Sequence, residues 1–590
     1  MKTKDAIRND IVRYANFVWQ NQNLSSQNSL VQLMIEEICN EVYLLNNKLD
    51  DTNYFVLKKL VSKLTPSSFG YVRPAHGILY VKTDEPEFNL EKRTNFFIKV
   101  IPDDFKEKEI NSIIFTPITD MKLINANITH FFFDKTLWSI DNKGNKDILF
   151  QTDKQIKHNT VWLGLNIDKE IKSLENLYFY IQFPHLDCNH EYYDILQYLQ
   201  WNAGNKPLKM KQGLPVDEKV KYSKTENELL EYYKTNYQTI GNKIRLNELK
   251  EHKMPEEFSS IADENFISAF STPLYWISIS FPPHFHSEDI EKMTVLLNVF
   301  PVVNRHYNEN NFILTENEKT ISLPSDIGEE FLEMNRFSDA GNNTYKCVNT
   351  IKEEGEYIAQ PIPKKDIEDP RIADYLERLI DVVQDESVAF SKIDKDKMLI
   401  VYNAISSLQN SDSHKVERNW LNEYADVAML TVKPKEDTKD MTISWWTTYA
   451  ERLNDIPEGT LLMAYNNAIL NKTDAVFLTR VHGGKSFYDF ESLKAINRFY
   501  TTSHDRILTK HNILNFCRIE LGKYVENIDV VKNVRISHKR NEGMLNVIEI
   551  QIKPRPEYAD YLQNTGILKE LYIRLRQRSP DTFNYKIILS

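Results

Sequence analysis

The apolar positions near the N-terminus repeat at helical spacing. A first apolar face is formed by Ile7, Ile11, Ala15 and Val18. After a polar break, the apolar residues alternate four and three positions apart, the spacing of a coiled-coil seam. The seam residues are Val31, Ile35, Ile38, Val42, Leu45 and Leu49. The spacing leaves two interpretations open, packing within one domain or packing against helices of other chains.

The pattern then changes from helical spacing to alternation. A third helix, Asn53–Leu64, is predicted to end before Pro66, whose ring and missing amide stop helices. From residue 77 to about residue 183, short alternating runs predict strands. Examples are Ile78–Val81, Phe96–Val100 and Tyr178–Ile181. A β-rich region therefore follows the N-terminal helices.

Further elements are predicted in the middle of the chain. Helical stretches are predicted at Tyr192–Trp201 and Thr225–Tyr237, and a second strand-rich section at Pro273–Ile362. Asp369-Pro370 has the N-cap and first-turn chemistry that begins a helix. Strands are then predicted at Val427–Val432, Met441–Thr448 and Ala475–Val481.

The C-terminal part reads as α-β-β-α-β. The predicted elements are a helix near Lys510–Leu521, strands near Val530–Ser537 and Leu545–Lys553, a helix near Tyr558–Arg576 and a strand at Tyr585–Leu589. With one earlier strand, this order would form a split βαβ, ferredoxin-like domain.

These patterns predict a multidomain α+β chain with an N-terminal helical bundle segment, β-rich middle domains and a C-terminal α/β domain. The predicted segments are 1–66 (N-terminal helices), 67–260 (β-rich with a helical insert), 261–365 (a second β-rich domain), 366–420 (a helical connector), 421–500 (a β-containing domain) and 501–590 (the C-terminal α/β domain).

Composition narrows the function classes. The chain has 590 residues, is 41% hydrophobic and contains 30 Phe and 30 Tyr, which favours a folded protein with several cores. Its net charge of -11, with no basic stripe, argues against general nucleic-acid binding. The pattern contains neither a signal-peptide core nor the roughly 18 apolar residues of a membrane span.

Few residue groups suggest chemistry. His284-Phe285-His286 could place two imidazoles on one face of a strand, but spacing suggests no third metal ligand, and an exposed loop is favoured. His482-Gly483-Gly484-Lys485 lacks the spacing of a phosphate-binding loop and is predicted to be a turn. Ser503-His504-Asp505 contains triad residue types, yet adjacent residues cannot orient one another for catalysis.

The four cysteines, Cys39, Cys188, Cys347 and Cys517, lie far apart and form no CxxC pair. Buried, inert thiols in a reducing cytoplasm are therefore predicted. A Cys-His nucleophile pair assembled by folding stays open as an alternative. Together, these observations predict no catalytic, cofactor-binding or metal-binding residues.

Several short segments, in their order along the chain, resemble the TssF family of type VI secretion baseplate proteins. The sharpest match is to a Leu-Asn-x-x-Pro-x-x-Asn motif, carried here by Leu297, Asn298, Pro301 and Asn304. The other segments are Lys48-Leu49-Asp50-Asp51 with the apolar helix, Pro66 and Pro74 that follow it; Ile114-Phe115-Thr116 with Asp120 and Leu123; Leu196-Gln197-Tyr198-Leu199 before Gly204-Asn205; and Phe477-Leu478-Thr479-Arg480.

The chain also departs from the family pattern. His76-Gly77 replaces small and hydrophobic residues after Pro74, and Arg305-His306 replaces an apolar pair after the motif. Asp505–Thr509 looks more like wedge proteins of contractile phage tails. The resemblance is therefore that of a divergent branch.

The resemblance implies a structural subunit without enzymatic activity or cofactor, in the cytoplasm at the inner face of the inner membrane. The implied partners are a second copy of the chain and a TssG-like subunit in each wedge, together with TssK-like, TssE-like and VgrG-like proteins. Neither nucleic acid nor membrane insertion is implied. The seam Val31–Leu49 would then pack against helices of other chains.

Other function classes remain open at this point. The nearest is a wedge protein of a phage tail or an extracellular contractile particle. A cytoplasmic hydrolase would need a pocket that joins a thiol to a histidine. An acidic substrate-binding module would need a large concave pocket.

Overall fold

The computed structural model describes residues 72–98, 113–183, 193–258, 272–361, 424–486 and 490–589 with short gaps, together with 8–14, 36–39 and 42. In the first part of the chain the helices are α1 (Lys224–Lys234) and α2 (Ser287–Lys292). The strands are β1 (His76–Val81), β2 (Glu87–Leu90), β3 (Phe96–Ile98), β4 (Ile114–Pro117), β5 (Met121–Ile124), β6 (Ala126–Phe133), β7 (Thr136–Ile140), β8 (Lys146–Gln151), β9 (Thr160–Ile167), β10 (Tyr178–Gln182), β11 (Gln200–Ala203), β12 (Lys206–Leu208), β13 (Met210–Gln212), β14 (Tyr237–Ile240), β15 (Tyr275–Ser280), β16 (Thr294–Leu296) and β17 (Val299–Asn304).

The later elements follow in the same order. The strands of the middle section are β18 (His306–Ile313), β19 (Thr320–Asp326), β20 (Glu330–Asp339), β21 (Lys346–Cys347), β22 (Glu356–Pro361), β23 (Tyr424–Lys433), β24 (Asp440–Thr448), β25 (Leu461–Ala464) and β26 (Ala475–Phe477). The C-terminal elements are α3 (Phe490–Ser503), α4 (Lys510–Leu521), β27 (Val525–Ile536), β28 (Met544–Pro554), α5 (Ala559–Asn564), α6 (Ile567–Arg578) and β29 (Asn584–Leu589).

A closed barrel lies at the centre of the molecule, with strand order β1-β17-β4-β3-β25-β26. Every residue of β17 is buried, because this strand packs on both of its faces and therefore carries a continuous apolar run. The barrel takes strands from three of the predicted sequence segments, 67–260, 261–365 and 421–500. Its strands are thus brought together by contacts between distant parts of the chain.

Two further sheets share the core of the barrel. One has seven strands in the order β12-β11-β15-β9-β6-β7-β8, and the other has the order β13-β14-β10-β16. Aromatic rings such as Phe179 and Trp201, with centroids 5.0 Å apart, fill the space between them. We call the barrel and these two sheets the body.

Two modules are attached to the body. The sandwich module pairs the sheet β18-β24-β20 with the sheet β19-β23-β22-β21 around a core that includes Trp445. The C-terminal module contains the sheet β27-β28-β29 and a separate core with residues from α3, α4 and α6. In that sheet β28 and β29 are parallel neighbours, so no described strand separates them.

The predicted α+β class is confirmed, and the predicted C-terminal order α-β-β-α-β is observed. The helix predicted at Tyr192–Trp201 is confirmed only in its first part: Tyr193 and Ile195 are helical, and the 3-10 turn Leu196–Tyr198 follows them. The prediction is wrong for Trp201, which lies in β11, where pairing with β15 buries its ring. The helix predicted at Thr225–Tyr237 is α1, and Tyr237 already begins β14. The helices predicted at Asn53–Leu64 and after Asp369 lie outside the described residues.

None of the helices in the described ranges combines the length and the apolar character that crossing a membrane requires.

Candidate functional site

Three of the five segments that resemble the baseplate family lie close together in the barrel, whereas Leu196–Tyr198 forms a 3-10 turn outside it and residues 48–51 lie outside the described residues. β17, which carries most of the Leu-Asn-x-x-Pro-x-x-Asn motif, pairs with β4 on one side and with β1 on the other. β1 in turn pairs with β26. The buried rings of Phe115 in β4 and Phe477 in β26 meet edge-on, with centroids 5.0 Å apart. Three widely separated motif segments therefore contribute strands to one closed sheet.

Asn298 fixes the chain just before β17. Its side-chain amide donates to the carbonyl oxygen of Ile124 at 2.7 Å, and its Oδ1 accepts from the amide of Ile124 at 3.0 Å. Its φ of 56° lies in the left-handed region, which asparagine tolerates better than most residues. The preceding Leu297 is buried in the core. The Leu-Asn pair therefore anchors β17 to β5.

Asn304 closes the other end of the motif strand. Its Nδ2 donates to the carbonyl oxygen of Ile114 at 2.8 Å. Its Oδ1 accepts from the hydroxyl of Thr448 at 2.8 Å and from the amide of Tyr449 at 2.9 Å. One buried side chain thus joins β17 to β4 and to the end of β24.

Pro301 occupies an interior strand, where proline is unusual because it has no amide hydrogen to donate. It faces Ile78 of β1. The amide of Ile78 donates instead to Thr479 Oγ1 at 3.0 Å, and its carbonyl accepts from the amide of Leu478 at 2.9 Å. The backbone of Ile78 is therefore satisfied without Pro301, by residues of another motif segment.

Arg305, directly after the motif, is 1% exposed. Its Nη1 lies 2.9 Å from Glu226 Oε1. Its Nε donates to Thr116 Oγ1 at 2.8 Å and its Nη2 to the Pro117 carbonyl at 2.9 Å, while the guanidinium lies 4.3 Å from the centre of the Trp446 ring. We call this group the Arg305 joint, because it links the barrel, α1 and the sandwich module.

Glu226 is held at the start of α1. It forms a capping box with Ser223, in which each side chain accepts from the other residue's amide. Burial alone would raise the pKa of Glu226, but Arg305 and the amide of Ser223 lower it below its ordinary value. The buried pair is therefore charged on both sides.

A second polar group joins the body to the C-terminal module. Arg73 and Lys485 exchange backbone hydrogen bonds of 2.9 and 3.0 Å, and His76 and His482 exchange bonds of 2.8 and 3.0 Å. Gly483 between them has a φ of +82°, and a Cβ there would lie 2.3 Å from His76 Nε2. Glycine is required at this position because any side chain would collide with the histidine.

The prediction that residues 482–485 form a turn is wrong. The segment runs antiparallel to residues 73–76, and both His482 and Lys485 contribute buried groups. The two glycines allow close approach to neighbouring groups: a Cβ on Gly484 would lie 2.3 Å from the carbonyl oxygen of Ala450. A glycine pair in sequence does not distinguish close packing from a turn.

Charged side chains of α4 and α6 meet this segment. Arg73 Nη2 lies 2.8 Å from Glu520 Oε2, and its Nη1 lies 3.7 Å from Glu570 Oε1. Arg574 approaches Glu570 at 2.5 Å and Glu520 at 3.8 Å. We call Arg73, His76, His482 and Lys485, together with Glu520, Lys569, Glu570 and Arg574, the C-terminal junction.

The two histidines of the junction face tyrosines of α1. His76 Nδ1 lies 2.6 Å from the Tyr233 hydroxyl. His482 Nδ1 lies 3.1 Å from the Arg480 carbonyl, so it must be the donor, and its Nε2 accepts from the Tyr232 hydroxyl at 3.0 Å. Burial lowers the pKa of His482 to about 4 and that of His76 well below its ordinary value. Both rings are therefore neutral near pH 7.

The ionisable groups of the junction differ in the direction of their pKa shifts. Burial raises the pKa of Glu570 to about 7, although Arg73 opposes this shift. Burial lowers the pKa of Lys485 to about 8. Burial would also raise the pKa of Glu520, but Arg73 and Lys485 lower it below its ordinary value. Glu520 is thus the firm counter-charge, while Glu570 and Lys485 titrate near neutral pH.

Sequence reasoning missed these residues. The helix that became α6 was predicted, but its Lys569, Glu570 and Arg574 were not singled out, and all three are buried. The one available signal was the four-residue spacing of Glu570 and Arg574 beside an apolar stripe. Their partner Arg73 lies near the other end of the chain, where spacing carries no information about contact.

The other candidates have structural roles. His286 is the N-cap residue of α2, Phe285 before it is buried, and His284 lies outside the described residues. Ser503 donates its hydroxyl to the Phe499 carbonyl at 2.6 Å at the end of α3.

Asp505 accepts from Arg578 Nε at 2.9 Å, and both His504 and Asp505 have positive φ values. This contact fixes the loop between α3 and α4 against the end of α6. Ser503, His504 and Asp505 are therefore used to end a helix and to shape a loop.

The cysteines divide by exposure. Cys39 and Cys517 are buried as predicted, and burial raises the pKa of Cys517 well above its ordinary value. The prediction of burial is wrong for Cys347, which is exposed in the short strand β21. Cys188 lies outside the described residues.

Only Ile38 and Val42 of the predicted seam fall within the described residues. Both are helical, and the side chain of Ile38 is 49% exposed while the neighbouring Cys39 is fully buried. Arg8 Nε lies 2.8 Å from Glu36 Oε1, so the first two helical segments contact each other. The rest of the seam, with Asp50 and Asp51, lies outside the described residues, and its role as an interface stays a prediction.

Three side chains that the sequence did not single out have ligand atoms within 4.8 Å of one another, namely His306, Asp326 and Glu329. Glu329 accepts from the hydroxyls of Ser325 and Thr447, the latter at 2.6 Å. His306 Nδ1 lies 3.3 Å from Glu329 Oε1, and this contact raises the pKa of His306. The contact with His306 and the two hydroxyl hydrogen bonds hold the buried carboxylate of Glu329 in place.

Comparison with known proteins gave the following results. No protein-family model matches the chain, and no curated protein matches it. Among solved structures, a chain of the TssK-TssF-TssG baseplate subcomplex of a type VI secretion system is 10% identical, with a TM-score of 0.43 over 95% of this chain and 96% of that chain. A chain of the type VI secretion baseplate complex is 8% identical, with a TM-score of 0.35 over 99% and 96% of the two chains. At these values the likeness does not by itself assign a function.

Proposed function

We propose that the chain is a structural wedge subunit of the baseplate of a type VI secretion system. It would pair with a second copy of itself and a TssG-like subunit, and the wedges would surround a spike hub in contact with TssK-like, TssE-like and VgrG-like proteins. The protein would work in the cytoplasm, through its interfaces and without a reaction of its own.

One observation carries this proposal. Three of the five segments that resemble the TssF family, carried by β4, β17 and β26, contribute to one barrel. Asn304 donates to Ile114 of another such segment, Asn298 bonds to Ile124 beside Leu123, and Thr479 accepts from Ile78 of β1. Residues that specify a scaffold would persist in a divergent relative even where surfaces have changed. The resemblance in sequence thus falls on residues that hold the barrel of this chain together.

The polar groups of the described residues also favour a structural role. The Arg305 joint and the C-terminal junction contain the largest buried charged clusters, and their members are engaged with one another across module boundaries.

The proposed partner surface is the seam Val31–Leu49. Ile38 has half of its side chain exposed while lying on a helix, as expected of a residue that is buried only after assembly. An apolar ridge of this kind suits helices of a second copy and of a TssG-like subunit.

Co-expression with a neighbouring TssG-like protein tests the proposal. We expect a complex of two copies with one TssG-like chain by light scattering, and loss of this complex in the variants Ile38→Asp and Val42→Asp. The matched control is Ile313→Asp, at an isoleucine that is 74% exposed in the sandwich module. This control should leave the complex intact.

A chain that stays monomeric with its partner present would contradict the wedge role. If the complex forms but ignores both seam substitutions, only the proposed interface is wrong. Binding of a TssK-like trimer would separate a secretion baseplate from a phage or extracellular particle.

A further inference from the structure

An open cavity of about 200 Å³ lies where the barrel, α1 and the C-terminal module meet. It is much larger than the roughly 10–15 Å³ that one water needs. Its walls include Thr479, Arg480 and His482 after β26, Tyr232, Tyr233 and Asn236 at the end of α1, and Gly566 and Lys569 at the start of α6.

Lys569 supplies a buried positive charge to this cavity. The residue is 7% exposed, its Nζ lies 2.5 Å from Asn236 Oδ1, and it also lies 5.2 and 5.1 Å from the ring centres of Tyr193 and Tyr232. Its charge helps to lower the pKa of His482, after the larger effect of burial. A buried ammonium favours an anion nearby, because water no longer solvates it fully.

Arg480 adds a second cation at the mouth of the cavity. Its side chain is 50% exposed and its Nη1 lies 3.7 Å from Asp455. Among the described residues that line the cavity, the one carboxylate is Glu458, which is exposed. The lining therefore carries a net positive charge.

Neutral donors complete the wall. Thr479 Oγ1 accepts from the amide of Ile78, so its hydroxyl hydrogen is available to donate. α6 has twelve residues and begins at the cavity with Gly566 as N-cap, without a side-chain cap. The partial positive charge of this helix end adds to that of Lys569.

The start of α6 can lie close to Tyr232 and His482 because Gly566 has no side chain. A Cβ on Gly566 would lie 2.6 Å from the Tyr232 hydroxyl and 2.8 Å from His482 Nε2.

A neighbouring space of about 20 Å³ is different, since it is water-sized and its cations Arg73 and Arg574 face the carboxylates Glu228 and Glu570. Of these two neighbouring spaces, the one of about 200 Å³ combines room for a ligand with an excess of positive charge.

We propose that this cavity binds a small oxyanion, either phosphate or a small carboxylate, between Lys569 and Arg480. The bound oxyanion bridges the strand end after β26 to the start of α6. It therefore fastens the C-terminal module to the body. The inference stands apart from the baseplate role, because binding is a property of the single chain.

The test uses the full chain in inorganic phosphate, citrate or chloride at matched ionic strength and pH. We expect phosphate or citrate, but not chloride, to raise the melting temperature saturably, and calorimetric titration to give a single site. The better of the two ligands identifies the source of the oxyanion. In Arg480→Gln we expect affinity to fall about tenfold or more, because one charge-assisted contact is lost.

Arg480 is half exposed, so its substitution leaves the fold intact, and Lys569→Gln is the stronger second variant. The matched control is Arg518→Gln, at an exposed arginine of α4 that does not line the cavity. Equal stabilisation by chloride, absence of saturable binding, or equal affinity in Arg480→Gln and the wild type would each overturn the proposal.

Discussion

Two buried charged groups in the described part of the chain, the Arg305 joint and the C-terminal junction, lie against the same helix and are built differently. The N-terminal turn of α1 supplies Glu226 to the Arg305 joint, and its C-terminal turn presents Tyr232 and Tyr233 to the C-terminal junction. The first joint contains one arginine whose donors reach a carboxylate, a hydroxyl and a carbonyl. The second contains several cations, two carboxylates and two neutral histidines.

The difference concerns protonation. In the Arg305 joint, Arg305 keeps the pKa of Glu226 below its ordinary value, so the charges persist through the neutral range. In the junction, burial raises the pKa of Glu570 to about 7 and lowers that of Lys485 to about 8. The joint that links the sandwich module to the body thus contains an ion pair whose charges do not change near neutral pH. The contacts of the C-terminal module with the body, in contrast, depend on pH.

The largest expected effect comes from breaking the fixed pair. Arg305→Met leaves the carboxylate of Glu226 buried without its main partner, which should destabilise the chain by about 3–5 kcal/mol. Urea unfolding followed by tryptophan fluorescence should report the loss, since Trp446 contacts the guanidinium. Adding Glu226→Gln should recover a large part of it, because the unpaired charge is removed.

The control is Arg93→Met, at an exposed arginine that lies over the ring of Tyr307. We expect less than about 1 kcal/mol there. If Arg305→Met were equally mild, the joint would contribute packing and little electrostatic stabilisation.

Acid should weaken the junction through its histidines. Because the pKa of His482 is lowered to about 4 in the folded chain, the neutral ring stabilises the fold above pH 6.5, and this contribution is lost as the pH falls toward 4. The full effect is on the order of 3 kcal/mol, at about 1.4 kcal/mol for each pKa unit. His76 and Glu520, whose pKa values are also lowered, act in the same direction.

Glu570 acts in the opposite direction, because its raised pKa gives stability that is lost as the pH rises through 7. The contribution of the ring is therefore isolated by comparing wild type with His482→Gln. The variant should show a shallower loss of melting temperature between pH 6.5 and 4. His158→Gln, at an exposed histidine, should follow the wild-type curve; a His482→Gln curve parallel to wild type would refute the assignment.

Removing the firm counter-charge should loosen the C-terminal module alone. Glu520→Gln takes the carboxylate away from Arg73 and Arg574. We expect a loss of about 2–3 kcal/mol, less than for Arg305, because an amide oxygen remains and Glu570 lies near both arginines. Hydrogen exchange should rise in α4 and α6 but not in the barrel.

Glu557→Gln, at an exposed glutamate of the same module, is the matched control. Equal acceleration of exchange in the barrel and in the C-terminal module would mean that the two unfold together. The C-terminal module would then not open independently of the body.

The C-terminal module was the part that the sequence predicted best. Its elements are consecutive and regular, and the helix expected at Lys510–Leu521 has those same bounds. The closure of the barrel could not be predicted, because its strands pair with partners far away in sequence, as β26 does with β1 and β25 with β3. The helix expected at Tyr192–Trp201 ends earlier than predicted for the same reason, since pairing of β11 with β15 makes Gln200 and Trp201 part of a strand.

For the functional sites, too, the sequence predicted local features but not the contacts between distant residues. The motif residues Asn298 and Asn304 were found in the sequence, but their partners Ile124 and Ile114 were not, because nothing local indicates which backbone a buried amide will reach. Arg305 was noticed only as a departure from the family pattern. Its burial became intelligible only once Glu226 was seen beside it.

The smallest expected effect separates the two properties of Asn298. Asn298→Gly keeps the left-handed backbone but removes the side-chain bonds to both backbone groups of Ile124, which should reduce stability by about 1–2 kcal/mol in denaturant unfolding. Asn298→Ala should lose about 1 kcal/mol more, because a Cβ at positive φ is strained without a compensating hydrogen bond. A glycine variant as stable as wild type would mean that the motif requires only the backbone conformation. An alanine variant equal to the glycine variant would mean that the hydrogen bonds alone matter. The expected graded loss would show that Asn298 links β17 to β5 both through its backbone conformation and through its hydrogen bonds. Because the amide is neutral, this link should not depend on pH, unlike the charged contacts of the C-terminal junction.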